Sequence, residues 1–171
     1  RRAMTRKPLK ILFLSAEAVP FAKVGGLADV AGSLPRAIRA LGHDVRLMMP
    51  RYGAIRSDQF HFEKIGEPFS IPVGPGEERV PLIGRPLDGE VPVYLTWNDL
   101  YLSSRDRVYG FEDDAQRFAV FGHACLAALH LLDWKPDVIH ANDWHTGIVP
   151  TWLDTAGRRD RFFRDIATLF T

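Results

Sequence analysis

The order of apolar and polar positions predicts alternating strands and helices in the first part of the chain. Residues 9–15 are a continuous apolar run, which is typical of a strand buried on both faces of a parallel sheet. Apolar residues at helical spacing follow over 27–41, with Pro35 expected to kink the helix and Gly42 placed at its C-terminal cap. Residues 44–49 are the next predicted strand, so these elements form one βαβ unit.

The middle of the chain has a different pattern, because prolines and glycines interrupt its short apolar runs. Short strands are predicted at 69–73, 79–84 and 91–96, with turns at 73–76 and 87–90. A loop with one helical turn is expected over 98–112. The sequence therefore predicts a proline-rich β region between the first βαβ unit and the rest of the chain.

The last part of the chain returns to alternating helices and strands. Asp113 and Asp114 can cap a long helix that ends near Leu132. A strand at 137–141, a helix at 146–156 and a strand at 167–171 follow. The element order predicts an α/β fold, a Rossmann-like doubly wound parallel sheet with right-handed crossovers. Because the final strand reads as a buried one with no helix after it, we expect an incomplete sheet.

Composition and charge exclude several classes of function. The chain has 171 residues and a formal net charge of +1, which provides no overall field for nucleic acid or an anionic membrane. The hydrophobic fraction is 46%, yet no apolar stretch approaches the roughly 20 residues of a membrane span. Cys125 is the single cysteine, so an intrachain disulfide and a cysteine-based zinc site are both excluded. We interpret residues 1–8 as a flexible basic tail.

The loop after the first strand carries the first candidate site. Gly25 and Gly26 precede the predicted helix, where backbone amides and the helix dipole favour an anion. Lys23 adds a mobile ammonium group, so the segment suits a diphosphate or a sugar phosphate. It matches neither the dinucleotide fingerprint nor the P-loop. The alternative is an ordinary turn in which Lys23 is solvated and Asp29 caps or decorates the first helical turn.

The loop after the 137–141 strand carries the second candidate site. Asn142, Asp143 and His145 offer directional donors and acceptors, and Trp144 offers a flat face, a mixture that suits a sugar. Both loops fall beyond the carboxyl ends of strands, where open α/β sheets bind ligands. One alternative is local capping and packing. Another is a metal site in which His140 joins Asp143 and His145.

Two further residues are weaker candidates for the same cleft. Glu17 follows the first strand, and the alternative to a place in the cleft is a solvated loop carboxylate. Tyr109 lies in the loop before the long helix, where it either donates a hydrogen bond at the cleft edge or only packs.

Several ordered segments resemble the N-terminal domain of the bacterial glycogen synthase and plant starch synthase family. The matching segments are 10–15 with Glu17, 23–30, 34–35, 42–45, 50–52, Tyr109-Gly110, Asp114, Arg117-Phe118 and 136–147. They follow one another over nearly the whole chain. The resemblance implies a glycosyltransferase of two Rossmann domains, the GT-B fold. Residues 9–171 would then be a truncated N-terminal catalytic domain, with the C-terminal nucleotide-binding domain absent.

The resemblance also implies an activity. It implies transfer of glucose from ADP-glucose to the non-reducing end of an α-1,4-glucan, with retention of configuration. No metal and no cofactor are implied, because ADP-glucose is a substrate. The remaining partner would be the C-terminal domain of the same protein, and the location cytoplasmic, or the plastid in a plant. The isolated chain is expected to be inactive.

Residue roles carry over by motif. The expected catalytic residues are Asp143 and His145. The expected substrate-binding residues are Lys23, Gly25, Gly26, Asp29, Glu17, Tyr109 and Asn142. Two alternatives stay open: a non-catalytic glucan-binding or regulatory module that keeps the cleft, and a related nucleotide-sugar glycosyltransferase of the same fold.

Overall fold

The described part of the chain folds into strands and helices around one mixed sheet. The structure is a computed structural model and describes residues 7–85 and 91–171, so residues 1–6 of the predicted tail and the predicted turn at 87–90 lie outside it. The strands are β1 (Lys10–Leu14), β2 (Asp44–Pro50), β3 (Glu63–Lys64), β4 (Phe69–Val73), β5 (Gly76–Val80), β6 (Leu82–Arg85), β7 (Val93–Thr96), β8 (Val138–Ala141) and β9 (Ala167–Phe170). The helices are α1 (Gly26–Ala40), α2 (Ser57–Phe60), α3 (Asp114–Leu131) and α4 (Ile148–Asp154).

The order of strands in the main sheet determines where a ligand can bind. Within residues 7–85 and 91–171, seven strands join in the order β3-β6-β7-β2-β1-β8-β9. From β7 to β9 the neighbours are parallel, whereas β6 and β3 are antiparallel at one edge. This confirms the predicted α/β doubly wound fold. The chain moves outward from β1 through β2 and later returns to β8, so the topological switch point lies between β1 and β8.

The proline-rich β region in the middle of the chain differs from its prediction. The single strand expected at 79–84 is two strands, because Pro81 has no N–H to continue a ladder. β5 pairs with β4 in a separate hairpin, and β6 pairs with β7 in the main sheet. The helical turn expected over 98–112 is a π-helical turn at Asp99–Ser103. The sequence pattern also missed the short elements α2 and β3, and the helix predicted at 146–156 is the shorter α4.

Helix α1 packs through small residues and not through its leucines. Its buried residues are Ala28, Ala31 and Pro35, and the helix runs through Pro35 as one element. Of the apolar positions predicted at helical spacing, Ala31 is buried and Ile38 packs against the core, whereas Leu34 is 36% exposed and Leu41 79% exposed. Small side chains let the helix approach its neighbours closely. Gly42 takes a φ of +95° after the helix, as the predicted cap requires.

The core is formed by strands of the main sheet together with α3. Leu12, Phe13 and Leu14 are 0% exposed, which confirms a central strand buried on both faces. Helix α3 contributes Phe121 and Cys125, and burial raises the pKa of the Cys125 thiol well above its usual value. This agrees with an inert core thiol. Among the described residues, no helix is both long and apolar enough to cross a membrane.

Helix α1 packs closely against Val19 at Gly32, and this contact leads to a prediction about stability. A Cβ at Gly32 would stand 2.3 Å from Cγ2 of Val19 and 3.1 Å from its carbonyl oxygen. We therefore expect Gly32→Ala to reduce the free energy of unfolding by about 1–3 kcal/mol, because one contact is with backbone that cannot rotate away. Urea unfolding measures this change.

Gly26→Ala is the matched control. A Cβ at Gly26 meets nothing within 4 Å, so this helical glycine tolerates alanine and stability should stay equal or rise. Equal stability of the two variants would contradict the close approach at Gly32.

Candidate active site

The loops that follow β1 and β8 meet at the switch point beside a cavity. The cavity has a volume of about 570 Å³ and is lined by Lys23 of the β1 loop and by Tyr52 and Tyr109 of neighbouring loops. The ring of Tyr109 lies 5.2 Å from that of His145, which belongs to the β8 loop. The fold thus brings residues from both candidate segments to one edge of the sheet.

Glu17 is a structural carboxylate of the β1 loop. Its side chain is 2% exposed, so the alternative of a solvated loop carboxylate is wrong. Its carboxylate accepts hydrogen bonds from the amide of Val24 and, at 3.2 Å, from the amide of Gly25. The Gly25 amide therefore donates to Glu17, whereas the sequence predicted that it would face a ligand. Gly26 is exposed and begins α1, where the first amides lack helical acceptors.

Lys23 and Asp29 hold each other at the N-terminus of α1. Both carboxylate oxygens of Asp29 lie 2.8 Å from the Lys23 ammonium nitrogen. Asp29 lies in the first turn of α1 without capping it, as the ordinary-turn alternative allows, but Lys23 is paired with Asp29 and is not simply solvated. The two side chains are 54% and 59% exposed, and such pairs contribute only about 0.2–1 kcal/mol. An anion at the cavity can therefore draw Lys23 away at little cost.

Asp143 has a strained backbone. Its φ of 62° and ψ of 172° lie in a region that is essentially restricted to glycine and costs about 1–3 kcal/mol. Its N–H donates to the carbonyl oxygen of Thr171 at 2.6 Å, and its carboxylate accepts from the Trp144 amide at 2.7 Å. The side chain is 49% exposed. The fold thus keeps an unfavourable conformation that presents a half-exposed carboxylate just after β8.

His145 is enclosed by aromatic rings. It is 2% exposed, with Trp144 stacked at 4.0 Å and the Phe118 ring edge-on at 4.6 Å. Neither ring nitrogen has a hydrogen-bond partner among residues 7–85 and 91–171. Burial lowers the pKa of His145, although the carboxylates of Asp143, Glu17 and Asp114 oppose this effect. The histidine is therefore neutral near pH 7, and a ligand reaches it only if a covering ring moves.

Asn142 belongs to the scaffold. Its side-chain amide donates to the carbonyl oxygens of Leu14 and His140, both at 3.1 Å, and its oxygen accepts from the Thr171 hydroxyl at 3.0 Å. The residue is 2% exposed. These bonds tie the end of β1 to the end of β8.

The metal alternative gains no support from this geometry. Within the described ranges, no group of three or more histidine, cysteine or acidic side chains is placed to hold a metal. His140 Nε2 is instead 3.0 Å from the Thr171 hydroxyl.

Two buried polar residues near the cavity received no role in the sequence prediction. The hydroxyl of Tyr52 donates to the carbonyl oxygen of Ala16 at 2.7 Å, and burial raises the pKa of Tyr52 well above its usual value. Arg117 is 0% exposed within the apolar face of α3. A charged residue at a core position of a helix is the signal that could have singled it out.

Comparison with solved structures identifies the class. The catalytic domain of starch synthase IV from Arabidopsis thaliana, bound to ADP and acarbose, matches with a TM-score of 0.85 and 27% identity, covering 96% of this chain and 34% of that chain. The doubly wound sheet with polar loops at its switch point is therefore the Rossmann-like domain of a GT-B glycosyltransferase.

Sequence comparison gives the family. A family model described as the starch synthase catalytic domain matches residues 10–171. The glycogen synthase of Moorella thermoacetica is 44% identical and that of Desulforudis audaxviator 42% identical, over 96% and 98% of this chain. The chain belongs to the starch synthase catalytic domain family. It spans about a third of these relatives, 33% and 35% of their lengths.

The backbone of Asp143 generates a prediction about stability. Both variants lose the bond to the Trp144 amide, but glycine adopts this backbone conformation without strain, whereas alanine keeps the strain. We expect Asp143→Gly to be more stable than Asp143→Ala by about 1–3 kcal/mol. Urea unfolding of both variants measures the difference. The usual order, with alanine the more stable, would mean that Asp143 is unstrained.

The burial of His145 generates a prediction about its titration. Because burial disfavours the imidazolium, the ring should take up its proton below the ordinary pKa of about 6.5. A histidine Cε1–H NMR titration measures the midpoint, and loss of that signal in His145→Gln assigns it. A midpoint at or above the ordinary value would contradict the enclosed environment.

Proposed function

We propose that the complete protein carrying this chain transfers glucose from ADP-glucose to the non-reducing end of an α-1,4-glucan with retention of configuration. One observation carries the proposal: in a member of the starch synthase family, Lys23 and Tyr109 line one cavity, and the Tyr109 ring lies 5.2 Å from that of His145 in the loop that also carries Asp143. Starch synthase IV was solved with ADP and acarbose, which supports an adenosine diphosphate donor here.

The departing diphosphate is the group that Lys23 serves in this proposal. Negative charge develops on the diphosphate as its bond to the glucose carbon breaks. The ammonium of Lys23 lies at the N-terminus of α1, where the helix dipole adds about half a positive charge. Since Glu17 already occupies the Val24 and Gly25 amides, the proposal relies on Lys23 and the first amides of the helix.

Asp143 and His145 serve the sugar in this proposal. The half-exposed Asp143 carboxylate can accept hydrogen bonds from glucose hydroxyls and offset positive charge at the reacting carbon. The neutral ring of His145 has both nitrogens available to a sugar hydroxyl once a covering ring moves. Tyr109 forms the wall between this pair and the Lys23 side of the cavity.

The remaining parts of the proposal follow from the family. Relatives are about three times as long as this chain, which supports a C-terminal domain as the partner that completes the cleft. We propose that ADP-glucose acts as a substrate without a cofactor or metal. A cytoplasmic location, or the plastid in a plant, fits this chemistry.

Replacement of Lys23 tests the proposal. In the complete protein, Lys23→Ala should raise the KM for ADP-glucose by about 10–100-fold, which corresponds to loss of one charge-assisted hydrogen bond. Initial rates with ADP-glucose and glycogen measure the change.

Lys64→Ala is the matched control for Lys23→Ala. Lys64 is also an exposed lysine paired with an acid, Glu67, but its pair lies in another part of the fold, beside β3. Its removal should leave the KM unchanged. An unchanged KM and kcat in Lys23→Ala would contradict a role for Lys23 in binding ADP-glucose. An inactive parental protein would overturn the proposed function.

A further inference from the structure

The backbone on both sides of Tyr109 is held by one ion pair of helix α3. Nη1 of Arg117 donates to the carbonyl oxygen of Val108 at 3.2 Å, just before Tyr109. Oδ2 of Asp114 accepts from the amide of Gly110 at 2.6 Å, just after it. Arg117 Nη1 and Asp114 Oδ1 are themselves 2.5 Å apart. The pair therefore brackets Tyr109 from two directions.

We infer that Arg117 and Asp114 are positioning residues that set Tyr109 against His145 at the cavity. The inference rests on the proposed function, because it gives Tyr109 a place in the sugar cleft. Neither Arg117 nor Asp114 lines the cavity, so both act through the loop that carries Tyr109.

The surroundings of Arg117 support positioning over simple stabilisation. The side chain is 0% exposed, and its Nη2 has no hydrogen-bond partner within the part of the chain that the structure describes. A buried charge with an unfilled donor costs desolvation that an apolar side chain would avoid. A stable core alone therefore does not account for an arginine here.

The same side chain connects the Tyr109 loop to the rest of the domain. Nε of Arg117 donates to the carbonyl oxygen of Tyr101 at 2.7 Å, in the π-helical turn. Asn98 caps that turn and donates to Glu78 of hairpin strand β5 at 2.9 Å. Arg117 thus fixes Tyr109 relative to both α3 and the hairpin.

A double-mutant cycle in the complete protein tests the inference. Arg117→Met is measured in the parental protein and in Tyr109→Ala, with kcat/KM for the glucan acceptor as the readout. If Arg117 acts through Tyr109, the loss should be about tenfold in the parent, since small misplacements reduce rates strongly. It should be less than about twofold without the Tyr109 ring. Equal losses in both backgrounds would overturn the inference and indicate a general structural role.

Conservative variants keep the test valid if Arg117→Met does not fold. Arg117→Lys retains the charge but lacks the planar fork, so it should recover only part of the activity. Asp114→Asn keeps an oxygen for the Gly110 amide and loses the ion pair, and it can replace Arg117→Met in the cycle. If Asp114→Asn, Arg117→Lys and Arg117→Met, each made as a single variant, all kept full activity, the inference would be contradicted.

Amide hydrogen exchange separates the inference from the proposed function. Arg117→Met should speed exchange of the Gly110 amide about tenfold or more, because its acceptor Asp114 is no longer fixed. Asp113→Asn is the control: Asp113 also pairs with an arginine, Arg105, at 2.5 Å, but it binds neither neighbour of Tyr109. An unchanged exchange rate of the Gly110 amide in Arg117→Met would overturn the inference that Arg117 and Asp114 position Tyr109. Absence of glucosyl transfer in the parent would overturn only the proposed function.

Discussion

The parallel pairing of β1 with both β2 and β8 is the constraint on which the rest of the structure depends. It requires a strand that is apolar on both faces, and it brings the loops after β1 and β8 to the same edge. Asn142 secures this arrangement with a bond to the carbonyl oxygen of Leu14 at the end of β1. Loss of this pairing would separate Lys23 from Asp143 and remove the shared cleft.

Within that cleft, two carboxylates already have partners in the same chain. The carboxylate of Glu17 binds amides at the start of α1, and Asp29 binds the ammonium of Lys23. The two contacts differ in strength, because the first is buried and the second is exposed. Under the proposed function, a diphosphate competes with Asp29 for Lys23, while Glu17 keeps its bonds to the loop. One carboxylate thus orders the loop, and the other holds the lysine proposed to bind the ligand.

The sequence was sufficient for elements with strong periodicity and insufficient for side-chain partners. The apolar run of β1 and the alternating order of strands and helices predicted the sheet and its α/β class, because burial dictates those patterns. Local patterns cannot show that Asn142 bonds to a strand far away in sequence, or that Glu17 reaches the Gly25 amide. The predicted apolar face of α1 was correct at Ala31 and Ile38 but wrong at Leu34 and Leu41, because the helix packs closely through small residues near Gly32.

The polar groups beneath the cleft indicate that this region trades stability for geometry. Arg117 and His145 are buried with unfilled hydrogen-bonding atoms among the described residues, and Asp143 holds a conformation that suits glycine. Each feature is unfavourable for folding, yet all three converge on the edge where β1 and β8 end. The apolar side chains of the core, such as Phe13 of β1 and Phe121 of α3, carry no comparable cost. Such costs persist only when the surrounding structure enforces them. The packed core therefore maintains both the strained backbone of Asp143 and the enclosed ring of His145.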